Sequence, residues 1–238
     1  MIKISHLYKS LNRELVLKDI DLTINDSEIW VILGQSGVGK SVLLQHMIGL
    51  FHPDQGAIEI NGLRLDHLTA QQWLDLRRTM GYLFQEGALY DFMTVFENVA
   101  FPLQEHTALS VLEIKAKAEN ILQLVGLEGV ERKYPAQLSG GMRKRVALAR
   151  AVILDSKILF CDEPTSGLDP ILSRDISNLI RDISRHFRTT TVIASHDIAN
   201  AFRIADKVAI LKDGQVVAQG TPQEVRASQN DFVREFIH

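Results

Sequence analysis

Eight consecutive residues near position 40 have the types and order needed to bind a chain of phosphates. They follow the pattern G-x-x-x-x-G-K-[ST] and are, in order, Gly34, Gln35, Ser36, Gly37, Val38, Gly39, Lys40 and Ser41. Glycines allow backbone N–H groups to turn inward around an anion, the lysine adds a full charge, and the final hydroxyl is suited to ligating Mg²⁺. A buried apolar run precedes the segment and an amphipathic run follows it. This context favours a nucleotide-binding loop over a glycine-rich turn with an incidental lysine.

A pair of carboxylates follows a second apolar run. Residues 158–161 read Ile-Leu-Phe-Cys, and Asp162 and Glu163 come directly after them. Acidic side chains at the carboxyl end of a strand lie where an α/β sheet binds its ligands. We expect Asp162 to hold Mg²⁺, directly or through water, and Glu163 to activate a water molecule as general base. An apolar run before Asp-Glu is weak evidence alone, and it gains meaning from the phosphate-binding loop.

The sequence contains a second helix start suited to an anion. Leu138 is followed by Ser139, Gly140 and Gly141, which combine a hydroxyl with exposed backbone N–H groups at the beginning of a predicted helix. One nucleotide does not need two phosphate-binding elements from the same chain. We therefore expect this segment to cover the phosphate bound by another copy, which predicts a head-to-tail homodimer with two ATP molecules between the subunits. The alternative is an ordinary helix cap.

The elements that must position these residues alternate between short β-branched runs and helical patterns, which is typical of an α/β fold with a largely parallel sheet. Buried strands are predicted at 29–33, 158–161, 190–194 and 208–211. Antiparallel strands of a smaller sheet are predicted at 2–7, 20–24, 57–60 and 216–219. Residues 94–153 have almost no strand signal, and apolar residues at helical spacing predict a helix over 110–125. A helical insert therefore interrupts the α/β core.

Three predicted helices have clearly marked N-termini. Asp169 precedes Pro170, the arrangement of an N-cap followed by proline at the first helical position. Thr221 and Glu224 have the spacing of a capping box. Ser139 precedes Gly140 and Gly141 and a helical run that extends to about Ile153.

The composition is that of a globular protein with no segment that would enter a membrane by itself. The 238 residues are 46% hydrophobic and 23% charged, and the net charge of −3 gives no reason to expect nucleic-acid binding. The single cysteine, Cys161, excludes an internal disulfide and fits a reducing compartment. No apolar run approaches the length of about 20 residues that crosses a bilayer. We therefore expect any association with a membrane to be peripheral and to depend on a partner.

Over essentially its whole length the chain resembles ABC ATPases. The phosphate-binding loop, the LSGG segment and the strand ending in Asp162 occur in the order characteristic of that superfamily. The resemblance implies a P-loop NTPase fold of the α/β class, with a RecA-like core, an antiparallel β subdomain and an inserted α-helical subdomain. It implies one ABC ATPase domain over 1–238. Within it, 1–85 and 156–238 form the ATP-binding core with the β subdomain, and about 86–155 form the helical subdomain carrying LSGG.

The same resemblance implies roles for three further segments. Gln85 corresponds to the Q-loop glutamine, which joins Mg²⁺ and the attacking water to the helical subdomain. Residues 166–169, Ser-Gly-Leu-Asp, correspond to the D-loop that crosses the dimer interface. His196 corresponds to the switch histidine, which contacts the γ-phosphate. The implied cofactors are ATP and Mg²⁺; the catalytic residues are Glu163, His196 and Lys40, the metal ligands are Ser41, Gln85 and Asp162, and the other nucleotide contacts are residues 34–39, Ser139, Gly140 and Gly141.

A more particular resemblance lies in and after the Q-loop. The segments FQEGAL at 84–89, NVAFPLQEHT at 98–107 and LSGGM at 138–142 are similar to the ATP-binding subunits of Mce/Mla-type phospholipid transporters. This resemblance implies permease subunits that contact about 85–107, with an Mce-domain lipid-binding protein and a small regulatory subunit as further partners. It implies a peripheral location at the cytoplasmic face of the inner (plasma) membrane. The alternative for the apolar residues of this region is packing within the helical subdomain.

Two positions depart from the usual ABC pattern. Leu11 stands where most ABC ATPases have an aromatic residue that stacks on adenine, and the sequence leaves open whether Tyr8 replaces it. Met142 stands where a glutamine often contacts the opposing nucleotide, and a methionine cannot form that hydrogen bond. We therefore expect contacts to the phosphates and Mg²⁺ to dominate nucleotide affinity.

Two other functions remain as alternatives to phospholipid transport. One is an ABC importer or exporter ATPase for another cargo. The other is a permease-free ABC ATPase, of which the iron–sulfur assembly type is hardest to exclude; the DNA-repair type needs a long coiled-coil insertion, and the translation type usually carries two cassettes in one chain. A short basic cluster, Arg143, Lys144 and Arg145, is expected to be a solvated or interfacial helix face rather than a nucleic-acid site.

Overall fold

In the computed structural model, which describes residues 1–237, the chain divides into two units. The first unit comprises Met1–Asp75 and the segment from Thr189 onward, and the second comprises Leu76–Arg188. The predicted helical subdomain, about 86–155, lies inside the second unit, and its boundaries stay a prediction. Within residues 1–237, none of the helices combines the length and apolarity required of a membrane-spanning segment.

The elements follow one another along the chain in a mixed order. The strands are β1 (Ile2–Leu11), β2 (Glu14–Ile24), β3 (Ile29–Leu33), β4 (Gln55–Ile60), β5 (Leu63–Arg64), β6 (Met80–Leu83), β7 (Ile158–Asp162), β8 (Thr190–Ser195), β9 (Lys207–Lys212) and β10 (Gln215–Gly220). The α-helices are α1 (Lys40–Met47), α2 (Ala70–Arg78), α3 (Val95–His106), α4 (Val111–Leu124), α5 (Gly140–Val152), α6 (Pro170–Phe187), α7 (Ile198–Ile204), α8 (Pro222–Arg226) and α9 (Asp231–Ile237).

The first unit contains an antiparallel sheet with the strand order β2-β1-β4-β5. Buried and exposed residues alternate along most of β1 and β2, and Ile2, Ile4 and Leu7 are among the buried ones. This alternation is typical of a sheet that covers a core with one face and meets solvent with the other. The strands predicted at 2–7 and 57–60 are confirmed as parts of β1 and β4, and the one predicted at 20–24 as part of β2.

A second set of strands in the first unit has β3 between β8 and β9, parallel to both. All five residues of β3 and all six of β8 are buried. Continuous burial explains why these runs are apolar or β-branched throughout, since neither face meets water. The buried strands predicted at 29–33, 190–194 and 208–211 are confirmed.

The prediction that 216–219 belongs to the smaller sheet is wrong. These residues lie in β10, which pairs antiparallel with β9 beside the strands of the phosphate-binding loop. Asp213 and Gly214 connect the two strands, with φ values of 49° and 80°. An Asp-Gly pair with positive φ at both positions forms a tight hairpin turn, and such a turn forces β10 to pair with the strand before it.

The second unit combines a parallel strand pair with helices. β6 pairs with β7 so that Leu83 lies opposite Cys161. Between these strands the chain forms α3, α4 and α5, and α4 buries residues at helical spacing such as Ile114, Ala118 and Ile121. The strand predicted at 158–161 and the helix predicted over 110–125 are confirmed. β6 was not predicted, because four residues containing a glycine carry little strand signal.

The three helix starts marked in the sequence are confirmed. Ser139 caps α5 by accepting a hydrogen bond from the backbone N–H of Met142, 3.3 Å away. Asp169 caps α6 by accepting bonds from two N–H groups at 2.9 and 3.0 Å. Thr221 and Glu224 form the capping box of α8. These caps fix the first turn of each helix, where the orphan N–H groups are found.

Candidate active site

The phosphate-binding loop connects β3 to α1 in the first unit. Gly37 and Gly39 adopt φ values of 84° and 105°, which side chains with a Cβ rarely adopt. Gly34 is required for a different reason, because a Cβ there would lie 2.5 Å from the carbonyl oxygen of Leu211. The loop therefore turns tightly at the end of a buried strand and leads directly into a helix N-terminus. This is the backbone geometry that an anion-binding loop needs.

Lys40 is the first residue of α1, and its side chain is turned toward the loop. Its Nζ donates hydrogen bonds to the carbonyl oxygens of Gly34 and Gln35, both at 2.9 Å. The residue is buried, and Ser41 beside it is half-buried. The ammonium group therefore lies at the loop, among the residues that would surround the phosphate oxygens.

His196 lies beside the same loop in the first unit. β3 and β8 are parallel, and their last residues, Leu33 and Ser195, are paired. The phosphate-binding loop leaves β3 and His196 leaves β8 at the same edge. The exposed imidazole stands in a turn whose N–H at Asp197 donates to Oγ of Ser195 at 3.0 Å. The predicted loop and the predicted switch histidine are therefore brought together.

The carboxylate pair lies at the end of β7 in the second unit. Asp162 and Glu163 are both buried, and the hydroxyl of Tyr82 donates to Oδ2 of Asp162 at 3.3 Å. Burial and the neighbouring carboxylate raise the pKa of Tyr82 well above its usual value, so this phenol stays a proton donor. Tyr82 was not singled out from the sequence, because only the β6–β7 register places it beside Asp162.

Glu163 has an unusual backbone. Its φ is 44°, in the left-handed region that a glutamate seldom adopts. Its carbonyl oxygen accepts a hydrogen bond from the N–H of Ser166 at 3.1 Å, which closes a turn immediately after β7. Backbone strain of this kind persists only where the surrounding structure imposes it, and it is concentrated at functional sites.

Gln85 follows β6 on the same side as the carboxylates. Its exposed side chain donates from Nε2 to Oγ of Ser166 at 3.3 Å. Since Leu83 pairs with Cys161, Gln85 and Asp162 leave neighbouring parallel strands at the same edge. The second unit therefore brings together the predicted Q-loop glutamine, the carboxylate pair and the first residue of the predicted D-loop.

The LSGG segment forms the start of α5 in the second unit. Ser139 is exposed and Gly141 is buried. A Cβ at Gly140 would lie 3.4 Å from the side chain of Leu168, and one at Gly141 would lie 3.6 Å from that of Leu172. The two glycines thus face residues in and just after the predicted D-loop. At this helix start Ser139 is exposed to solvent, whereas the two glycines pack against leucine side chains.

The basic cluster after LSGG agrees only in part with the solvated or interfacial face that was expected, because Arg143 is exposed but Lys144 is buried. Arg143 donates to the carbonyl of Leu138 at 3.0 Å, and Arg145 donates to that of Val125 at 2.7 Å. Lys144 is only 7% exposed and donates to the carbonyl of Gln85. All three cations bind backbone oxygens of their own unit. The contact between Lys144 and Gln85 was not predicted from the sequence, because the two residues are 59 positions apart in the chain.

The predicted metal ligands are chemically suited to Mg²⁺. Asp162 offers a carboxylate, Gln85 an amide oxygen and Ser41 a hydroxyl, and hard divalent cations prefer oxygen ligands. Asp162 ends a strand, Gln85 lies just past one, and Ser41 lies in the first turn of α1. The donor set therefore fits the ion. Ser41 and Asp162 belong to different units, so the complete ligand set stays a prediction.

The two residues considered for adenine stacking lie on β1. Tyr8 and Leu11 are both half-buried, and Leu11 is the last residue before a turn in which Asn12 and Arg13 have φ values of 50° and 68°. Both side chains are exposed enough to contact an adenine ring. The choice between them stays open.

Comparison with known proteins identifies the class to which this fold and site belong. The family model described as ABC transporter matches residues 17–166, which include the phosphate-binding loop, the LSGG segment and the carboxylate pair. The chain belongs to the ABC transporter family and represents its ATP-binding, ATP-hydrolysing cassette. The expected α/β P-loop NTPase fold is confirmed by solved cassettes.

The similar proteins are ATP-binding subunits of several transporters. The chain is 41% identical to the "Probable ribonucleotide transport ATP-binding protein mkl" of Mycobacterium tuberculosis, over all of this chain and 66% of that protein. It is 36% identical to the "Intermembrane phospholipid transport system ATP-binding protein MlaF" of Haemophilus influenzae, over 100% of this chain and 90% of the relative. It is 37% identical to the "Methionine import ATP-binding protein MetN" of Campylobacter jejuni, over 100% and 75%. The chain thus spans slightly less than two thirds of the mycobacterial protein.

A solved cassette gives the same fold. The dimeric post-hydrolysis state of the ATP-binding cassette MJ0796, bound to ADP and Pi, superposes with a TM-score of 0.84 at 32% identity. The match covers 93% of this chain and 99% of the other. The similar cassette is thus a dimer that carries a hydrolysed nucleotide.

Proposed function

We propose that this chain is the ATP-hydrolysing subunit of a membrane transporter that moves phospholipids. Two copies bind ATP head to tail, and hydrolysis at their interface changes the conformation of a permease. The observation that carries the proposal is the presence of two anion-binding helix starts, the loop before α1 and the Ser139 cap of α5. The two helix starts belong to different units. A single nucleotide would be bound by the loop of one copy and by the Ser139 helix start of the partner copy.

The proposed roles of the site residues follow from their chemistry. Lys40 and the loop N–H groups bind the phosphates, and Ser139, Gly140 and Gly141 cover the phosphate bound by the partner copy. Glu163 accepts a proton from the attacking water, and His196 orients the terminal phosphate. The remaining nucleotide contacts come from the loop: Gly34, Gln35, Ser36, Gly37, Val38, Gly39 and Ser41.

Glu163 is suited to a general base by position. Its carboxylate follows a buried strand and its φ of 44° directs the chain into a closed turn. Gln85 is tied to the same turn through Ser166. A water molecule oriented by both side chains is the proposed nucleophile, and positioning of this kind accounts for much of the catalysis in phosphoryl transfer. Mg²⁺, held by Ser41, Gln85 and Asp162 when bound, would neutralise phosphate charge.

The permease contact is proposed on the surface that follows the Q-loop. Phe84, Tyr90 and Phe92 are exposed, the last to 76% of its maximum. Tyr90 contacts both Phe92 and Phe101, with ring centroids 5.7 and 5.4 Å apart. Aromatic residues exposed side by side are unfavourable in water and mark a docking surface. We therefore place the membrane partner against about 85–107, at the cytoplasmic face of the inner membrane.

Phospholipid as cargo is supported by the relatives and by the sequence after the Q-loop. A subunit of an intermembrane phospholipid transport system is 36% identical over the whole chain. An Mce-domain protein and a small regulatory subunit are proposed as further components on the same ground. Transport of another cargo is the second candidate, because a methionine import subunit is 37% identical over the same span.

Substitution of the general base tests the hydrolytic mechanism. Glu163→Gln should bind ATP normally, lose at least about a hundredfold in kcat, and accumulate as an ATP-bound dimer. Steady-state hydrolysis and size-exclusion chromatography with and without ATP measure these effects. Hydrolysis at the rate of the unsubstituted protein would refute the role of Glu163.

Purification with partners tests the cargo. Affinity purification of the chain from membranes of its own cells should recover a multi-span permease and an Mce-domain protein with bound phospholipid. Phe92→Ser should lower that recovery while leaving ATP binding intact, since the side chain lies outside the nucleotide contacts. Recovery with a soluble scaffold alone would contradict every transporter function.

A further inference from the structure

The helix that begins at Ser139 also holds the main chain of the Q-loop. Lys144 on α5 donates to the carbonyl oxygen of Gln85. Six residues further along, Arg150 donates to the carbonyls of Gly87 and Ala88, both at 2.8 Å. Three carbonyls of one four-residue loop segment, those of residues 85, 87 and 88, thus have cationic donors from a single helix.

The loop needs these donors because its backbone is strained. Gly87 and Ala88 have φ values of 78° and 48°, and alanine seldom adopts the left-handed region. A Cβ at Gly87 would lie 3.3 Å from the Cβ of Ala147 on α5, so the loop lies directly against the helix. A conformation of this kind persists only where neighbouring groups fix it.

Lys144 is the unusual member of the set. It is 7% exposed, and burial lowers its pKa while the carboxylates of Glu86, Asp162 and Glu163 oppose that shift. A buried ammonium costs free energy unless it is well paired. A methionine would fill the space of the lysine stem without that cost. The buried ammonium group is offset by its hydrogen bond to the carbonyl of Gln85 and by the charges of those carboxylates.

We propose that Lys144 is a positioning residue for ATP hydrolysis, which fixes Gln85 to the helix whose first turn covers the nucleotide of the partner copy. The proposal rests on the proposed function. A helix moves as a rigid element, and Lys144 lies five residues after Ser139, about 7.5 Å along the axis. Any shift of Ser139 against the partner's nucleotide is then transmitted to Gln85 of the same chain. The two ATP sites of the dimer are coupled through this contact.

The chain offers a matched control on the same helix. Arg145 also donates to a backbone carbonyl, that of Val125 at 2.7 Å, where α4 ends. Removal of Arg145 costs one contact of the same chemical type without touching the Q-loop. A general loss of stability would lower kcat in variants of both Lys144 and Arg145. A displacement of Gln85 would lower kcat only in the Lys144 variant.

The test compares Lys144→Met, Lys144→Arg and Arg145→Met in steady-state hydrolysis and thermal unfolding. Lys144→Met should lower kcat about tenfold or more, because small displacements of a positioning group have effects of this size, while KM for ATP changes less than about twofold. Lys144→Arg, which keeps a cationic donor, should recover most of that loss. Arg145→Met should keep the kcat of the unsubstituted protein, although its Tm should fall by about as much as that of Lys144→Met.

A second measurement separates this inference from the proposed function. Lys144→Met in the Glu163→Gln background should still form the ATP-bound dimer, since Lys144 does not contact the nucleotide. An unchanged kcat in Lys144→Met would overturn the inference and leave the function standing. Failure of dimer formation in the double variant, or equal kcat losses in Lys144→Met and Arg145→Met, would also overturn it and indicate a structural role. Full hydrolysis by Glu163→Gln alone would refute the proposed function instead.

Discussion

The residues that do the proposed chemistry combine ordinary side chains with unusual backbone. Glu163 has a left-handed φ, and Lys40 turns back onto the carbonyls of its own loop. Neither feature is coded by residue type, since glutamate and lysine both prefer other conformations.

His46 shows how a single buried side chain affects stability. It lies on α1, and its Nδ1 is 2.7 Å from the carbonyl oxygen of Val42, so this nitrogen donates. Nε2 is buried and has no hydrogen-bond partner among residues 1–237. Burial is the main cause that lowers the pKa of His46 below its usual value. The folded protein therefore binds a proton at this site less readily than the unfolded chain.

Stability should depend on pH through His46. A lowered pKa in the folded state means that the unfolded chain binds more protons below about pH 6.5, so the free energy of unfolding falls as the pH is lowered. His46→Leu removes this contribution, and its free energy of unfolding should fall less between pH 7.5 and 5.5. Urea unfolding of both proteins at the two pH values measures the difference.

His6 provides a control of the opposite sign. Its ring donates to Asp19 at 2.8 Å, and this hydrogen bond with the neighbouring charge of Asp21 raises its pKa. The stabilisation is present below the unfolded pKa and is lost as the pH rises through the folded one. In His6→Ala, the free energy of unfolding should therefore fall more steeply as the pH is lowered. Identical pH profiles for His46→Leu and the unsubstituted protein would contradict the assignment.

At the scale of elements, α5 and β6 determine how the second unit is packed. α5 carries the LSGG start, the cations that bind the Q-loop, and a buried apolar face that includes Val146 and Leu148. Gly81 on β6 lies against the last turn of this helix, where a Cβ would be 2.1 Å from the carbonyl oxygen of Ala151. The strand and the helix approach so closely that no side chain fits between their backbones.

The close approach of β6 and α5 should make Gly81 intolerant of substitution. Gly81→Ala forces strand and helix apart and should destabilise the protein by about 2 kcal/mol or more, as overpacking of a tight contact does. Thermal and urea unfolding measure the change. Gly62→Asn is the control, because a Cβ at that exposed turn meets nothing within 4 Å and asparagine tolerates its φ of 80°. Equal destabilisation by both substitutions would count against the close contact.

At the scale of the whole molecule, the proposed function requires two copies of the chain for activity. Each chain supplies a phosphate-binding loop in one unit and the Ser139 helix start in the other. When the loop of each chain meets the Ser139 helix start of the other, the pairing is two-fold symmetric and closes into a dimer. The similar cassette in its post-hydrolysis state is a dimer bound to ADP and Pi.

Specific activity should therefore depend on protein concentration. Below the dissociation constant of the ATP-bound dimer, the rate per chain should fall roughly in proportion to concentration, because only paired chains have a complete site. Nucleotide binding to the loop of Lys40 should persist at the same dilution. Hydrolysis and binding of a fluorescent nucleotide, measured over a dilution series, test this. Full specific activity in strictly monomeric protein, with Ser139 dispensable, would contradict the shared site.

Much of this molecule was predictable because its information is local. The strand–loop–helix at Lys40, the capped start at Ser139 and the apolar strand before Asp162 are each specified by fewer than about fifteen consecutive residues. The residue types within each segment favour one secondary structure, although they do not determine every backbone or side-chain angle in it. They also carried the resemblance to the ABC family, which the comparisons confirm.

The sequence by itself determined the elements, their order and the chemical groups offered at their ends. Only the tertiary structure decided which strand β10 pairs with, that Tyr82 bonds to Asp162, and that Lys144 is buried against Gln85. The physical reason is the same in each case. Pairing across a sheet and burial of a charge depend on groups that are distant in the chain, and the free energy of such contacts is settled only when the surrounding core is packed.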